Sequence, residues 1–176
     1  IRVSVWKPGD QCPIVPTMLV VDMDPGRTKF SVHYYAQEGL PEPLRIDEWQ
    51  KRTGHHVLFN AGLFRENFAY LGLLYKGGRP LGSRRHPSWQ GLFVAEPSAS
   101  GTPMAQILDL ASEIFDEVRP PYREAAQALM LLDRSGKVRV REMGKYAYQT
   151  IVAEGETGHI LLFKSLGAVR LYDIGQ

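Results

Sequence analysis

A chain of 176 residues with 44% hydrophobic and 23% charged positions has the composition of one folded domain, which excludes a disordered, coiled-coil or collagen-like polymer. The formal net charge of +2 is too small, and the Lys and Arg residues too scattered, to signal a nucleic-acid partner. No run of eighteen apolar residues occurs, so no membrane span is expected.

In chain order, the first residue is Ile1 rather than Met, which fits a processed chain. The single cysteine, Cys12, lies in the loop-like Asp10-Gln11-Cys12-Pro13 and has no internal partner for a disulfide. Met18 to Asp22 is a short apolar run, Asp24-Pro25-Gly26 a turn signal, and Lys29 to Tyr35 alternates behind it; together they read as a hairpin. Asp47 to Thr53 reads as a short helix stopped by Gly54. Val57 to Phe59 reads as a brief buried strand leading into Asn60-Ala61-Gly62, and Tyr70 to Tyr75 as another, followed by the turn Gly77-Gly78. Gly91 to Ala95 is a further strand. Thr102-Pro103 opens a predicted helix whose apolar stripe is Met104, Ile107, Leu108, Ala111, Ile114, Phe115 and Val118, closed by Pro120-Pro121. Ala126 to Leu132 reads as a strand ending in the turn Asp133 to Gly136, and Lys137 to Arg141 alternates. Thr150 to Ala153 and His159 to Phe163 form a second hairpin around Glu154 to Gly158, and Leu171 to Gln176 begins a last element. About nine strands and two helices predict an α+β fold of mixed, mostly antiparallel sheets in a single domain over residues 1–176.

Candidate chemistry is sparse. Asn60 and Gly62 stand where a buried strand is expected to end; an amide both donates and accepts there, and glycine lets backbone approach a ligand. Arg65 follows, and Arg84 and Arg85 lie together in a Gly/Pro/Ser-rich loop, where paired guanidinium groups suit a phosphate. Gln127 sits in an apolar strand and either faces solvent or enters a cleft; Glu154 ends another strand and is either a turn carboxylate or a base. Adjacent His55 and His56 would face opposite ways on a strand, and no His-x-His, HExxH or CxxC spacing occurs, so no metal site is expected. There is no P-loop, Rossmann glycine pattern or G-x-S-x-G elbow, and the residues leave the cofactor unknown.

Val57-Leu-Phe-Asn60-Ala61-Gly62-Leu63-Phe64 resembles the Asn-Gly-Gly-x-Phe signature of the phosphodiester glycosidase family, the family of the lysosomal N-acetylglucosamine-1-phosphodiester "uncovering" enzyme. Further segments resemble the family's in the same order: Tyr70 to Arg79, Gly91 to Val94, Ala126 to Lys137 with its Gln127, and Gln149 to Phe163, together spanning about residues 17 to 173. Ala61 replaces the first glycine of the signature, Gln149 stands where many members carry arginine, and the family's C-terminal acidic-Gly-Gly segment is not in the sequence. The resemblance implies a hydrolase of sugar-1-phosphodiester bonds acting on a secreted or periplasmic glycan, with Asn60 and Glu154 in the chemistry and Gly62, Arg65, Arg84, Arg85 and Gln127 holding substrate. It also implies that the acidic-Gly-Gly segment comes from a second chain or from residues outside this sequence, or else that the chain is an inactive relative. The alternative within the same resemblance is a non-catalytic glycan- or envelope-binding module.

Overall fold

The computed structural model describes residues 1–10 and 12–176; Gln11, within the loop expected at 10–13, lies outside the described residues. Two antiparallel sheets carry the chain. The first has the order β1 (Arg2–Trp6), β2 (Met18–Met23), β9 (Ile160–Ser165), β8 (Thr150–Glu154). The second has the order β4 (Arg79–Pro80), β3 (Leu74–Lys76), β7 (Tyr122–Ala128), β5 (Gly91–Pro97), β6 (Ala105–Asp109). Two short helices, α1 (Ile46–Thr53) and α2 (Leu171–Gly175), complete an α+β architecture. Among the described residues no helix is long and apolar enough to cross a membrane.

The five-stranded sheet is covered on both faces, which is why β5 is an almost unbroken apolar run. Its Leu92 and Val94 join Tyr75, Leu108, Phe115 and Tyr122 on one side. Side chains alternate along a strand, so Phe93 and Ala95 point the other way and meet Val21, Met23, Ile160 and Leu162 from the first sheet. Phe30 closes this second cluster with its ring 5.3 Å from that of Phe93 in an edge-to-face pair.

Several predicted elements are present. β2, β5, the β8–β9 hairpin and α1 stand where the pattern placed them. In α1 the first turn holds Asp47 and Glu48 and the last turn Lys51 and Arg52, matching the helix dipole, and Gly54 ends it at φ 68°.

Others are overturned. Residues 102–118 do not form a helix. Ala105–Asp109 is the edge strand β6, paired with β5 from Gly91↔Asp109 to Ala95↔Ala105. The chain then returns with Leu110 and Phe115 buried, while Ile114 and Val118 are 93% and 88% exposed. A helical stripe would have buried both; hydrogen bonding to the free edge of β5 overrode the three-four spacing. The first hairpin is also absent. Its turn forms, with the Arg27 amide donating to the Asp24 carbonyl at 3.1 Å, but β1 and β9 already occupy both edges of β2. Residues 29–35 therefore cross to the second sheet, where the Val32 amide donates to Glu124 Oε2 at 2.8 Å. Val57–Phe59 packs on the second cluster as irregular chain rather than as a strand. The strand expected over 70–75 shortens to β3, and the one expected over 126–132 starts earlier and ends at Ala128, so Gln127 lies at its exit. Lys137–Arg141 keeps only the single bridge Leu132↔Val138.

Candidate functional site

One open cleft of about 2150 Å³ borders the 29–35 and 55–64 segments, the 128–149 segment and β8. Asn60, Ala61 and Gly62 line it, with aromatic rings from Tyr34, Phe59, Phe64, Trp89 and Tyr148. Asn60 is exposed at this lining, on irregular chain rather than at a strand tip.

Gly62 explains how this segment is held. A Cβ there would collide with the Tyr70 hydroxyl and lie 3.0 Å from the Gln127 carbonyl oxygen. Only glycine lets the segment lie so close to β7. The Tyr70 hydroxyl donates to that same carbonyl at 2.7 Å, and burial pushes its pKa far up, so it stays a neutral donor.

Gln127 is fully buried and every hydrogen-bonding position of its amide is engaged internally. Oε1 accepts from the Leu73 amide at 2.9 Å and the His86 amide at 3.0 Å. Nε2 donates to the His86 carbonyl at 3.0 Å and the Trp89 carbonyl at 2.6 Å. The reading of Gln127 as a substrate ligand is corrected: it does not line the cleft, and it fastens the 82–90 loop to the sheet. Gly72, at φ 95°, makes room for it, since a Cβ there would lie 2.5 Å from Oε1.

Glu154 lines the cleft, but its Oε2 accepts from the Ile107 amide at 3.0 Å. That bond ties the free edge of β8 to the free edge of β6. Arg134 caps the Ile107 carbonyl at 3.4 Å, and Glu113 Oε2 accepts from the Asp109 amide at 2.7 Å. Side chains thus satisfy a strand edge that would otherwise present open hydrogen-bonding groups.

The expected arginines do not converge on Asn60. Arg65 and Arg84 are exposed and do not line the cleft; nor does Arg85, whose guanidinium donates to the Leu110 carbonyl. The cations that do line it are others, among them Arg134, Arg139, Arg141 and Lys145. Arg139 Nη1 lies 3.5 Å from Asp109 Oδ2 and 3.6 Å from Asp133 Oδ2. Asp109 is 6% exposed at the end of β6. The Ser135 hydroxyl and the Lys137 amide hold the Asp133 carboxyl below its usual range, so it stays anionic. This carboxylate–guanidinium cluster escaped the sequence reading. Asp109 was hidden inside the predicted helix, and Asp133 carried only a turn signal; no local pattern joins them to Arg139.

Gln149 donates from Nε2 to the Val169 carbonyl at 3.0 Å, and its own amide donates to Ser165 Oγ at 2.7 Å, so it too works on the fold. His55 Nε2 lies 2.9 Å from His33 Nε2.

A comparison with protein-family models finds no match to the chain, and a comparison with curated proteins finds none either.

Proposed function

We propose that the chain is a phosphodiester glycosidase-like domain whose cleft takes a sugar-1-phosphodiester from a secreted or periplasmic glycan or sugar phosphate. The observation that carries this reading is the placement of Asn60-Ala61-Gly62, the segment of the resemblance, at the lining of an aromatic cleft that also holds Arg134, Arg139, Arg141 and Lys145. Aromatic rings offer flat apolar faces to a sugar, and guanidinium groups offer paired donors to a phosphate. A phosphate leaving group is already stable as an anion, which lowers the need for the proton donor of ordinary glycoside hydrolysis. The chain's tasks are then to hold the phosphate and to support positive charge developing on the sugar. On this reading Asn60 hydrogen-bonds substrate; Asp109 and Asp133 lie 3.5 and 3.6 Å from Arg139 of the cleft.

A second reading, glycan binding without turnover, is favoured by one specific observation: Gln127 and Glu154, both candidates for substrate work, are bonded to backbone amides and carbonyls of the fold. Release of free sugar from a sugar-1-phosphodiester, wild type against Asn60→Ala, separates the readings. Turnover that falls at least about tenfold in a variant with an unchanged melting curve supports the hydrolase. Saturable glycan binding with no turnover in either protein supports the binding module, and equal turnover in both removes Asn60 from the chemistry.

A further inference from the structure

Beside the cleft is a smaller open pocket of about 640 Å³, lined by Lys29, Ser31, His33, Glu38, Arg52, Thr53 and His55. His33 is held from both sides. Its Nδ1 lies 2.6 Å from Glu38 Oε1, and its Nε2 lies 2.9 Å from Nε2 of His55. Glu38, the pocket's one carboxylate, also receives Arg52 Nε and Lys76 Nζ, each at 3.3 Å. The neighbouring Glu124 carboxylate accepts from the Val32 and Gly77 amides. Lys29 Nζ and Ser31 Oγ make no hydrogen bond among the described residues. Arg52 and Lys76 thus both meet Glu38, while Lys29, exposed at the pocket lining, pairs with no carboxylate among the described residues.

Two ring nitrogens 2.9 Å apart share one proton: one donates and the other accepts. His33 Nδ1 is committed to Glu38. When both Nε2 atoms carry hydrogen they point at each other and the contact breaks, unless an acceptor enters between them. A small anion with several oxygens accepts from both, and Lys29, Ser31 and the free guanidinium nitrogens of Arg52 surround the place it would take.

We propose that this pocket is a binding site for a tetrahedral oxyanion, of the sulfate or phosphate class, which enters between His33 and His55 and is taken up together with a proton. The groups facing the pair set the direction of the linkage. Burial opposes a positive charge on His55 most, and His33, His56 and Lys76 oppose it further; together they lower its pKa, and an anion in the pocket would raise it again. The pocket opens onto the cleft and shares Lys29, Ser31, His33 and His55 with its lining.

Sulfate is the probe, because its charge does not change between pH 5.5 and pH 8. Histidine side-chain ¹H–¹⁵N spectra of the full chain are followed during sulfate titration at both pH values, against sodium chloride of equal ionic strength. The expected result is saturable change at His33 and His55, the pair gaining one proton, with a Kd at least about tenfold tighter at pH 5.5 than at pH 8. His55→Gln abolishes the pH dependence, and Lys29→Gln or Arg52→Gln weakens binding several-fold; Lys29 is exposed and its variant is expected to keep the wild-type melting curve. Inorganic phosphate added in a second series competes with sulfate at the same two rings. No saturable change at His33 and His55, equal affinity at the two pH values, or binding indifferent to both Lys29→Gln and Arg52→Gln overturns the proposal. The readout is anion binding at the two rings, so its outcome is scored separately from sugar release.

Discussion

Gln127→Leu separates the structural role of this residue from a role in binding substrate. The substitution puts an apolar side chain in a fully buried position and removes four hydrogen bonds to backbone: two accepted from Leu73 and His86, two donated to His86 and Trp89. At about 1 kcal/mol net for each bond, the loss is about 4 kcal/mol, and more where a partner left behind stays out of water's reach. A domain of this size has a total stability of about 5–15 kcal/mol. The variant is therefore expected to unfold about 2 M earlier in urea, for a slope of about 2 kcal/mol/M, and about 8–16 °C earlier on heating. Amide hydrogen exchange in the 82–90 loop is expected to accelerate first, because that loop loses three of the four bonds. A loss below about 1 kcal/mol with the loop still protected refutes the reasoning. A variant as stable as wild type that fails only in substrate binding would return Gln127 to the cleft.

Gly62→Ala places a methyl group against the Tyr70 hydroxyl and is expected to cost roughly 2–4 kcal/mol in urea unfolding, from overpacking plus the loss of the Tyr70–Gln127 bond; Tyr70→Phe, which loses the bond alone, is expected to cost about 1–2 kcal/mol. Glu154→Gln keeps an acceptor for the Ile107 amide and is expected to melt within about 2 °C of wild type, whereas Glu154→Ala frees the β6 edge; a large loss of turnover in the Gln variant at unchanged stability would make this carboxylate chemical. Arg170 grips buried Asp173 through Nε at 2.7 Å and Nη2 at 2.6 Å and reaches Glu142 at 2.9 Å, so Arg170→Ala is expected to speed hydrogen exchange across 142–149 while leaving the sheets protected. Acid should weaken the fold in two stages. Burial and the neighbouring cations lower the His55 pKa, so the unfolded chain binds its proton more readily and stability falls as the pH drops below 6.5. Bonds from His33, Arg52 and Lys76 outweigh burial and lower the Glu38 pKa, so its contribution is present above 4.5 and is lost as the pH falls through the lowered value. Urea midpoints at pH 7.5, 5.5 and 4 check both, and His55→Gln should flatten the first interval.

The sequence by itself determined those elements whose signals are local. The Asp47 to Gly54 helix carries its own charge pattern and its own glycine stop. The second hairpin is two apolar runs joined by a short Gly-containing turn, so the partner of each strand is its neighbour in the chain. The α+β class follows from many such runs between turns. What only the tertiary structure decided were the choices that depend on residues far apart. Ala105–Asp109 has helical spacing, yet β5 offers an open edge whose backbone groups need partners, and satisfying them outweighs a weak helical preference. Residues 29–35 alternate like a strand, yet both edges of β2 are taken by strands that arrive from elsewhere in the chain. The same reason governs the site. A polar side chain such as Gln127 shows the same letter whether it meets a ligand or four backbone groups, and Arg139 is drawn to Asp109 and Asp133 only after β6 and the 133–139 turn have been brought together. Hydrogen-bonding capacity is a property of a residue, but what satisfies it is a property of the folded chain.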